Sequence, residues 1–438
     1  MILSKAVPLP SVEIAQASFP SPFSATLEYS APARGPWTIM HLGLLVPETH
    51  IIFVCAQCCL RGVVMSAAEL GTLDRFSTIT IEDCNLLEGD TEEVLIQGVD
   101  DILKKIPYKP KAVLLYTSCV HEFIGTDLTF TFDRLREQHP DIDFTDCYMT
   151  PILRKRLSPD ARNRRQIYTL LKAQSRKDEG ISIYGDINPL GQYSDVAQLI
   201  YQSKRPLRSI TATQTYEEYQ ALAKSSIALA LNPVTTATLK WAQESLGQQS
   251  VMLSNGFSLT ENRLMLEIFS QLLGVKCDLS VAESYFQKSL KKAKEIIQDT
   301  SIAIDYTATT RPLSLARFLI ENGFNVQALY LDQFMGTEKN DYEWLKKYHP
   351  TLRIYPTVHP GMTFARPSVA SKTLAIGQKA SYFTNTDYFV NLIEGGGMDG
   401  ISGTARLLEL MTEAYLEKKD SKKLIQIKAL GCTRRGRL

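Results

Sequence analysis

The chain has 438 residues, 44% of them hydrophobic and 22% charged, and 48 Lys and Arg against 47 Asp and Glu leave a formal net charge of +1. That length exceeds what one hydrophobic core usually fills, which implies two or three domains, and the near-neutral balance offers no field for a nucleic-acid partner. The opening MILSKAVPLPSVEIAQASF lacks the basic start and apolar run of a signal peptide, and no later stretch reaches the ~20 apolar residues of a membrane span, so a cytoplasmic protein is expected.

Along the chain, short β-branched or aromatic runs alternate with segments of helical period, the rhythm of parallel sheets wrapped by helices on both faces. A first set of strands is expected at HIIFV, RFSTITI, KAVLLYT and IDFTDCYM, with helices near 60–71, 91–105, 126–138 and 162–174. A second set reads GISIYGDI, LRSITAT, SIALALN and QSVMLS, with helices near 192–203, 215–223, 235–246 and 260–273. A third reads SIAIDYT, NVQALYLD, LRIYPTV and KASYFTN, with helices near 311–322, 341–348, 368–378 and 402–416. The class is α/β, as three Rossmann-like doubly wound parallel-sheet domains, expected over 1–178, 179–299 and 300–438. The rhythm breaks at RKDEG (176–180) and after the amphipathic stretch 280–299, whose Lys and Glu face solvent. The basic tail KKDSKKLIQIKALGCTRRGRL reads as a frayed end.

Eight cysteines in a reducing compartment point away from structural disulfides and toward buried thiols, redox chemistry or metal ligation. Five of them, Cys55, Cys58, Cys59, Cys84 and Cys119, fall in the first third of the chain. Ligands of open α/β sheets collect outside the carboxyl ends of the strands. Cys55 directly follows HIIFV, Cys84 closes RFSTITIEDC and Cys119 ends KAVLLYTSC, so three βα loops would each deliver a thiol to one edge. Helix first turns there are expected to lower the thiolate pKa values. An iron–sulfur cluster needs such soft ligands from several segments. Against this, free cysteine is among the most buried residue types, and CxxCC matches neither a paired structural zinc site nor a ferredoxin run. Cys147, Cys277 and Cys432 are read as structural.

The segments 77-STITIED-83 and 117-TSCVHEFIGTDL-128, preceded by a cysteine-bearing strand-to-helix loop, resemble the component 1 subunits of nitrogenase and their relatives, which include cofactor-scaffold proteins and dark-operative protochlorophyllide reductases. GDINPLGQYSDVAQLI and FTNTDYFVNLIEGGGMDGISG resemble the family's second-domain opening and Gly-rich final turn. The resemblance implies three Rossmann-like domains, and an iron–sulfur cluster, 4Fe–4S or larger and P-cluster-like, shared across an interface with a homologous or identical subunit. It implies electrons delivered by a separate ATP-hydrolysing iron protein to a small-molecule substrate in a cleft between domains. It places cluster cysteines at Cys59 and Cys119. The family's further upstream cysteine has no counterpart in 34-RGPWTIMHLGLLVPETH-50, and Cys55 or Cys58 is the substitute; Cys84 stands where the family has no ligand. The residues that hold nitrogenase's large cofactor, a cysteine and a histidine, fall here at Asn232 and within Gly395–Gly396–Gly397, and neither is a strong iron ligand.

Weaker candidates complete the set. His121, two residues after Cys119, would hydrogen-bond a cluster sulfur or relay a proton, and Glu122 reads as a charge complementing the helix dipole. Arg61 and Gly62 follow Cys59 in its helix, where a cation favours an anionic cluster. His359 and Arg366 lie in the polar loop YPTVHPGMTFARPS, and 394-EGGGMDG-400 permits close backbone approach. No P-loop, nucleophile elbow or HExxH motif occurs, so ATP hydrolysis must happen on another protein. The expected function is the iron–sulfur subunit of a nitrogenase-like reductase acting on something other than dinitrogen. The alternatives are a non-catalytic scaffold for metallocofactor assembly and a small-molecule binding module in which the cysteines only pack.

Overall fold

The computed structural model describes residues 9–24, 26–29, 39–149, 158–253, 255–365 and 372–424. Its strands in chain order are β1 (Val12–Glu13), β2 (Thr49–Cys55), β3 (Phe76–Thr80), β4 (Ala112–Ser118), β5 (Asp143–Met149), β6 (Asp178–Ile183), β7 (Leu207–Ser209), β8 (Ser225–Ala230), β9 (Gln249–Met252), β10 (Ser301–Asp305), β11 (Val326–Tyr330), β12 (Arg353–Tyr355), β13 (Thr373–Ile376) and β14 (Phe389–Val390). They form three sheets, ordered β3-β2-β4-β5, β7-β6-β8-β9 and β1-β12-β11-β10-β13-β14. Every pairing is parallel except that of β1 with β12. The fold is therefore α/β with three Rossmann-like doubly wound sheets.

The chain divides into two compact units. One comprises Trp37–Pro189 and Lys204–Leu253 and carries the first two sheets. In it, β2 and β4 are buried along their whole length, as strands covered on both faces must be. Their register is pinned where Phe53 faces Tyr116, with ring centroids 4.5 Å apart and planes 8° from parallel. The Tyr116 hydroxyl then donates to Asn163 Oδ1 at 3.0 Å, which satisfies the polar end of a fully buried ring. Isoleucine, valine and leucine from β2, β3 and β4 pack with the helices Thr91–Lys105 and Leu128–Gln138 in one apolar cluster, each fully buried aliphatic contributing about 1.5–3 kcal/mol.

The other unit takes the described parts of Met1–Pro36, Leu190–Ser203 and Ser254–Leu438. The segment 190–203 joins it through a reciprocal exchange of carboxylates. Asp399 accepts from the Ser194 hydroxyl and the Val196 N–H at the start of helix Asp195–Gln202. Asp195 in turn accepts from the Ser402 N–H in the first turn of helix Gly400–Leu416. Each acid meets the positive end of the other's helix. Glu338, fully buried, does the same for helix Pro312–Glu321, accepting from the N–H groups of Leu313 and Ser314 at 2.8 and 3.0 Å.

Most expected elements are found within a few residues, and the exceptions have local causes. KASYFTN, expected as a strand, is helix Gln378–Thr384, while the fourth strand of that set is Thr373–Ile376, inside the helix expected near 368–378. Tyr and Phe favour strands, but here Gly377 turns the chain at φ 110° and the buried Asp305 carboxylate accepts from Ala380 N–H, starting a helix that buries Ala380 and Phe383. LRSITAT is a strand only over Leu207–Ser209, because the Ser209 hydroxyl accepts from Thr211 N–H and opens a 3₁₀ turn. The helix expected near 162–174 runs Pro159–Gln166 behind a Ser158 cap.

A Cβ on Gly377 would overlap the Asp305 carboxylate in a backbone conformation that L side chains rarely adopt. Gly377→Ala should therefore destabilise the protein by about 2–4 kcal/mol, measured as a lower urea midpoint. Burial pushes the Glu338 carboxyl up from 4.5 to about 8, against the opposing pull of Arg311 and the two N–H donors. The folded state thus binds the proton more tightly than the unfolded one. Its contribution is full below pH 4.5 and is lost as pH rises toward about 8, on the order of 1.4 kcal/mol per unit. Glu338→Gln keeps the acceptor and removes the titration, so its loss of stability between mildly acidic and mildly alkaline buffer should be smaller than the parent's; equal slopes in urea unfolding would exclude this role.

Candidate functional site

In the first sheet the chain leaves β2 for β3 on one side and returns to β4 on the other, so the order reverses between β2 and β4. Such a reversal opens a crevice at the carboxyl ends of the two strands, where α/β proteins bind their ligands. Val54 lies opposite Thr117 and Cys55 opposite Thr80, so Cys55 ends β2 at the level where β4 ends in Ser118 and Cys119 begins the next helix. Cys55 and Cys119 flank the crevice.

The loop after β2 is a single extended residue, Ala56, at φ −61° and ψ 150°, and helix Gln57–Glu69 follows at once. Cys58 and Cys59 are its second and third residues. Their Sγ atoms lie 3.9 Å apart and both are exposed, while Cys55 is buried and Cys119 partly so. Cys84 is exposed on helix Asp83–Glu88, which follows β3, one strand away from the crevice.

The thiols sense one another. Burial first, then the charges of Cys59, Cys58 and Cys119, push Cys55 up to about 12. Cys59 is raised by burial, by its hydrogen bond and charge with Cys58, and by Cys119. The lowering expected from helix first turns is overridden at both, because desolvation and the crowding of like charges act the other way. Cys55 and Cys59 thus both feel Cys58 and Cys119. As thiols they do not close on a point: among the described residues no three His, Cys, Asp or Glu side chains stand close enough to hold an ion. The donor set itself suits iron or another soft metal, and a cation there would relieve the crowding that raises these thiols.

His121 is buried on the helix that Cys119 begins. Its Nδ1 lies 3.2 Å from the Ser118 N–H, its Nε2 is buried with no hydrogen-bond partner, and burial lowers its pKa. Glu122, Arg61 and Gly62 are exposed. His359 turns its Nδ1 to the Gly361 N–H at 3.0 Å and caps the turn Pro360–Phe364; Arg366 lies outside the described residues, as does Cys432. Cys147 is a buried thiol hydrogen-bonded with Tyr116, and Cys277 is half-buried against Ser270. All seven described cysteines are free. Asn232 caps the turn Pro233–Thr235 by accepting from Val234 N–H, and Gly395, Gly396 and Gly397 form a turn at φ 74°, 60° and 73°.

The sequence reading missed two features. The short helices Asp83–Glu88 and Cys119–Ile124 hold exposed apolar side chains, Leu86, Leu87, Phe123 and Ile124, on the loops that follow β3 and β4. Six residues are too few to show a period. The strand order, which makes the β2–β4 gap the crevice, has no signal in sequence spacing at all.

The first sheet is thus a parallel α/β sheet with cysteines at its reversal point. The sequence matches the family described as nitrogenase component 1 type oxidoreductase over residues 40–358, and the chain belongs to that family. Among solved structures it is similar to "Nitrogenase Cp1 at pH 6.5", with 14% identity, 90% of this chain and 94% of that chain covered and a TM-score of 0.66. It is also similar to "Nitrogenase Cp1 at pH 5", with 12% identity, coverage of 89% and 90% and a TM-score of 0.58. At those identities the likeness is one of fold. No curated protein matches the chain.

In metal-free protein under reducing conditions, alkylation followed by mass spectrometry should label the exposed Cys58 and Cys84 first. A thiol raised from 9.0 to about 12 carries roughly a thousandfold less thiolate at a given pH, so Cys55 should be the slowest of the five. Labelling of Cys55 at the rate of Cys84 would contradict the burial and crowding described.

Proposed function

We propose that this chain is the iron–sulfur subunit of a nitrogenase-like reductase. Cys55, Cys59 and Cys119 hold a cluster, 4Fe–4S or larger, at the β2–β4 crevice. A bound cluster would take up and pass on single electrons, its potential set by the surrounding dielectric and hydrogen bonds. The observation that carries this reading is the convergence of strand-end thiols on one edge at the point of strand reversal. Within it, Cys55 is held rigidly by the sheet, while Cys59 and Cys119 sit on helix first turns, where side-chain rotation brings sulfur toward iron. The hydrophobic runs of β2 and β4 exclude water from below, and the orphaned Nε2 of His121 is a donor available to sulfur.

Three ligands from one chain leave the set to be completed by a homologous or identical subunit. Phe123, 76% exposed on the helix that Cys119 begins, is the kind of apolar side chain that such a subunit would cover. With no P-loop in the sequence, electrons come from a separate ATP-hydrolysing iron protein. Asn232 and Gly395–Gly397 offer neither thiolate nor imidazole, which argues against the dinitrogen-reducing cofactor and for another small unsaturated substrate. The exposure of Cys58 and Cys59 favours one second reading, a scaffold that builds a metallocofactor and hands it on.

Protein purified anaerobically should contain iron, acid-labile sulfide and a reducible paramagnetic signal. Cys119→Ser and Cys59→Ser should each lose most of the iron, and Cys147→Ser should keep it. Full iron and sulfide in the Cys119→Ser protein would overturn the assignment; turnover with an iron-protein partner separates the reductase from the scaffold.

A further inference from the structure

Away from the thiol edge, one buried acid is only half satisfied. Glu338 ends the turn Gly336–Glu338, stands at the start of helix Lys339–Tyr348 and is fully buried. Its Oε1 accepts from two N–H groups in the first turn of helix Pro312–Glu321, while its Oε2 is buried and has no hydrogen-bond partner among the described residues. Two charged groups face it: Arg311, just before that helix, and Asp341, in the first turn of helix Lys339–Tyr348. Asp341 is itself held by the Ser314 hydroxyl and by Arg317 Nη1 at 3.2 Å, with Arg311 Nη2 3.6 Å away.

The carboxyl is thus the joint between helix Pro312–Glu321 and residues 331–338, which lead out of β11. The same segment carries the N-terminal arm. The Phe334 N–H donates to the Pro20 carbonyl at 2.8 Å, and the Phe334 ring stacks on Phe19 with centroids 5.9 Å apart. Tyr342, one turn after Glu338, packs on both rings at 5.3 Å and donates its hydroxyl to the Ala17 carbonyl at 2.6 Å. All of these residues belong to one compact unit.

We infer that Glu338 is a proton-controlled latch: with its proton it holds residues 331–338 against helix Pro312–Glu321, and loss of the proton opens this segment and loosens arm residues 17–20 with it. In the closed state an ionised carboxyl keeps one oxygen in apolar surroundings with nothing to donate to it, which is costly. In the opened segment both oxygens meet water. Asp341 adds to the cost, while Arg311 and the two N–H groups oppose it, and the balance leaves the closed carboxyl at about 8 against an ordinary 4.5. The opened form therefore carries fewer protons between those two values, so the opening equilibrium rises about tenfold per pH unit up to about 8 and is level above it, where both forms are ionised. This is a local opening of the folded protein, and it needs no metal at the thiol edge.

Hydrogen–deuterium exchange of the full-length protein from about pH 6 to about pH 9, read by mass spectrometry and corrected for the intrinsic pH dependence of amide exchange, tests the latch. Peptides covering 331–338 and 17–20 should exchange about tenfold faster per unit up to about pH 8 and then level off, while peptides from β2 and β4 keep their protection. Glu338→Gln accepts the same two N–H bonds and cannot ionise, so its corrected rates should stay constant with pH. Corrected rates in the parent that are level across this range, or a rise in Glu338→Gln as steep as the parent's, overturn the proposal; the parent's profile is decisive on its own.

Discussion

Everything at the thiol edge depends on the register of β2 against β4. Both strands are wholly buried, and a shift of one residue would turn every side chain to the opposite face. The Phe53–Tyr116 stack and the Tyr116–Asn163 hydrogen bond forbid that shift. With the register fixed, Cys55 and Cys119 end at one level on the two sides of the reversal point, and the one-residue loop at Ala56 brings Cys58 and Cys59 to the same rim. A longer loop after β2 would carry those thiols away from the crevice without changing any strand.

The other two sheets close their reversal points with their own atoms. Between β6 and β8, Gly185 at φ 80° packs so tightly under Thr235 that no Cβ would fit, its N–H donates to the Tyr168 hydroxyl and its carbonyl accepts from the buried Arg164. Between β10 and β13, the Asp305 carboxylate lies against Gly377 and accepts from the N–H groups of Ala380 and Thr307. A buried carboxylate on backbone donors stands where a dinucleotide phosphate would otherwise sit.

Much of this was legible in the sequence because strands with β-branched or aromatic side chains, such as HIIFV and KAVLLYT, and the long amphipathic helices carry their own period. What failed did so where a tertiary contact outweighed propensity. KASYFTN became a helix because Asp305, some 75 residues earlier, offers its carboxylate to Ala380. The candidate thiols were legible as residues following strands, but not as a group, since grouping depends on which strands are neighbours. The separation of Cys84 from the others shows this: in sequence it lies between Cys59 and Cys119, yet β3 is the outer strand and places it away from the crevice.

The edge combines two features that are each costly alone. Burial and the neighbouring thiols raise the pKa of Cys55 and Cys59, and the apolar side chain of Phe123 stands mostly in water. A metal centre at the crevice would turn the first cost into binding energy, because thiolates that repel one another are all attracted to a cation. Covering that side chain would answer the second and would also lower the local dielectric around such a centre, strengthening its attraction for the thiolates. On the proposed reading, metal loading and subunit docking therefore reinforce each other through solvent exclusion.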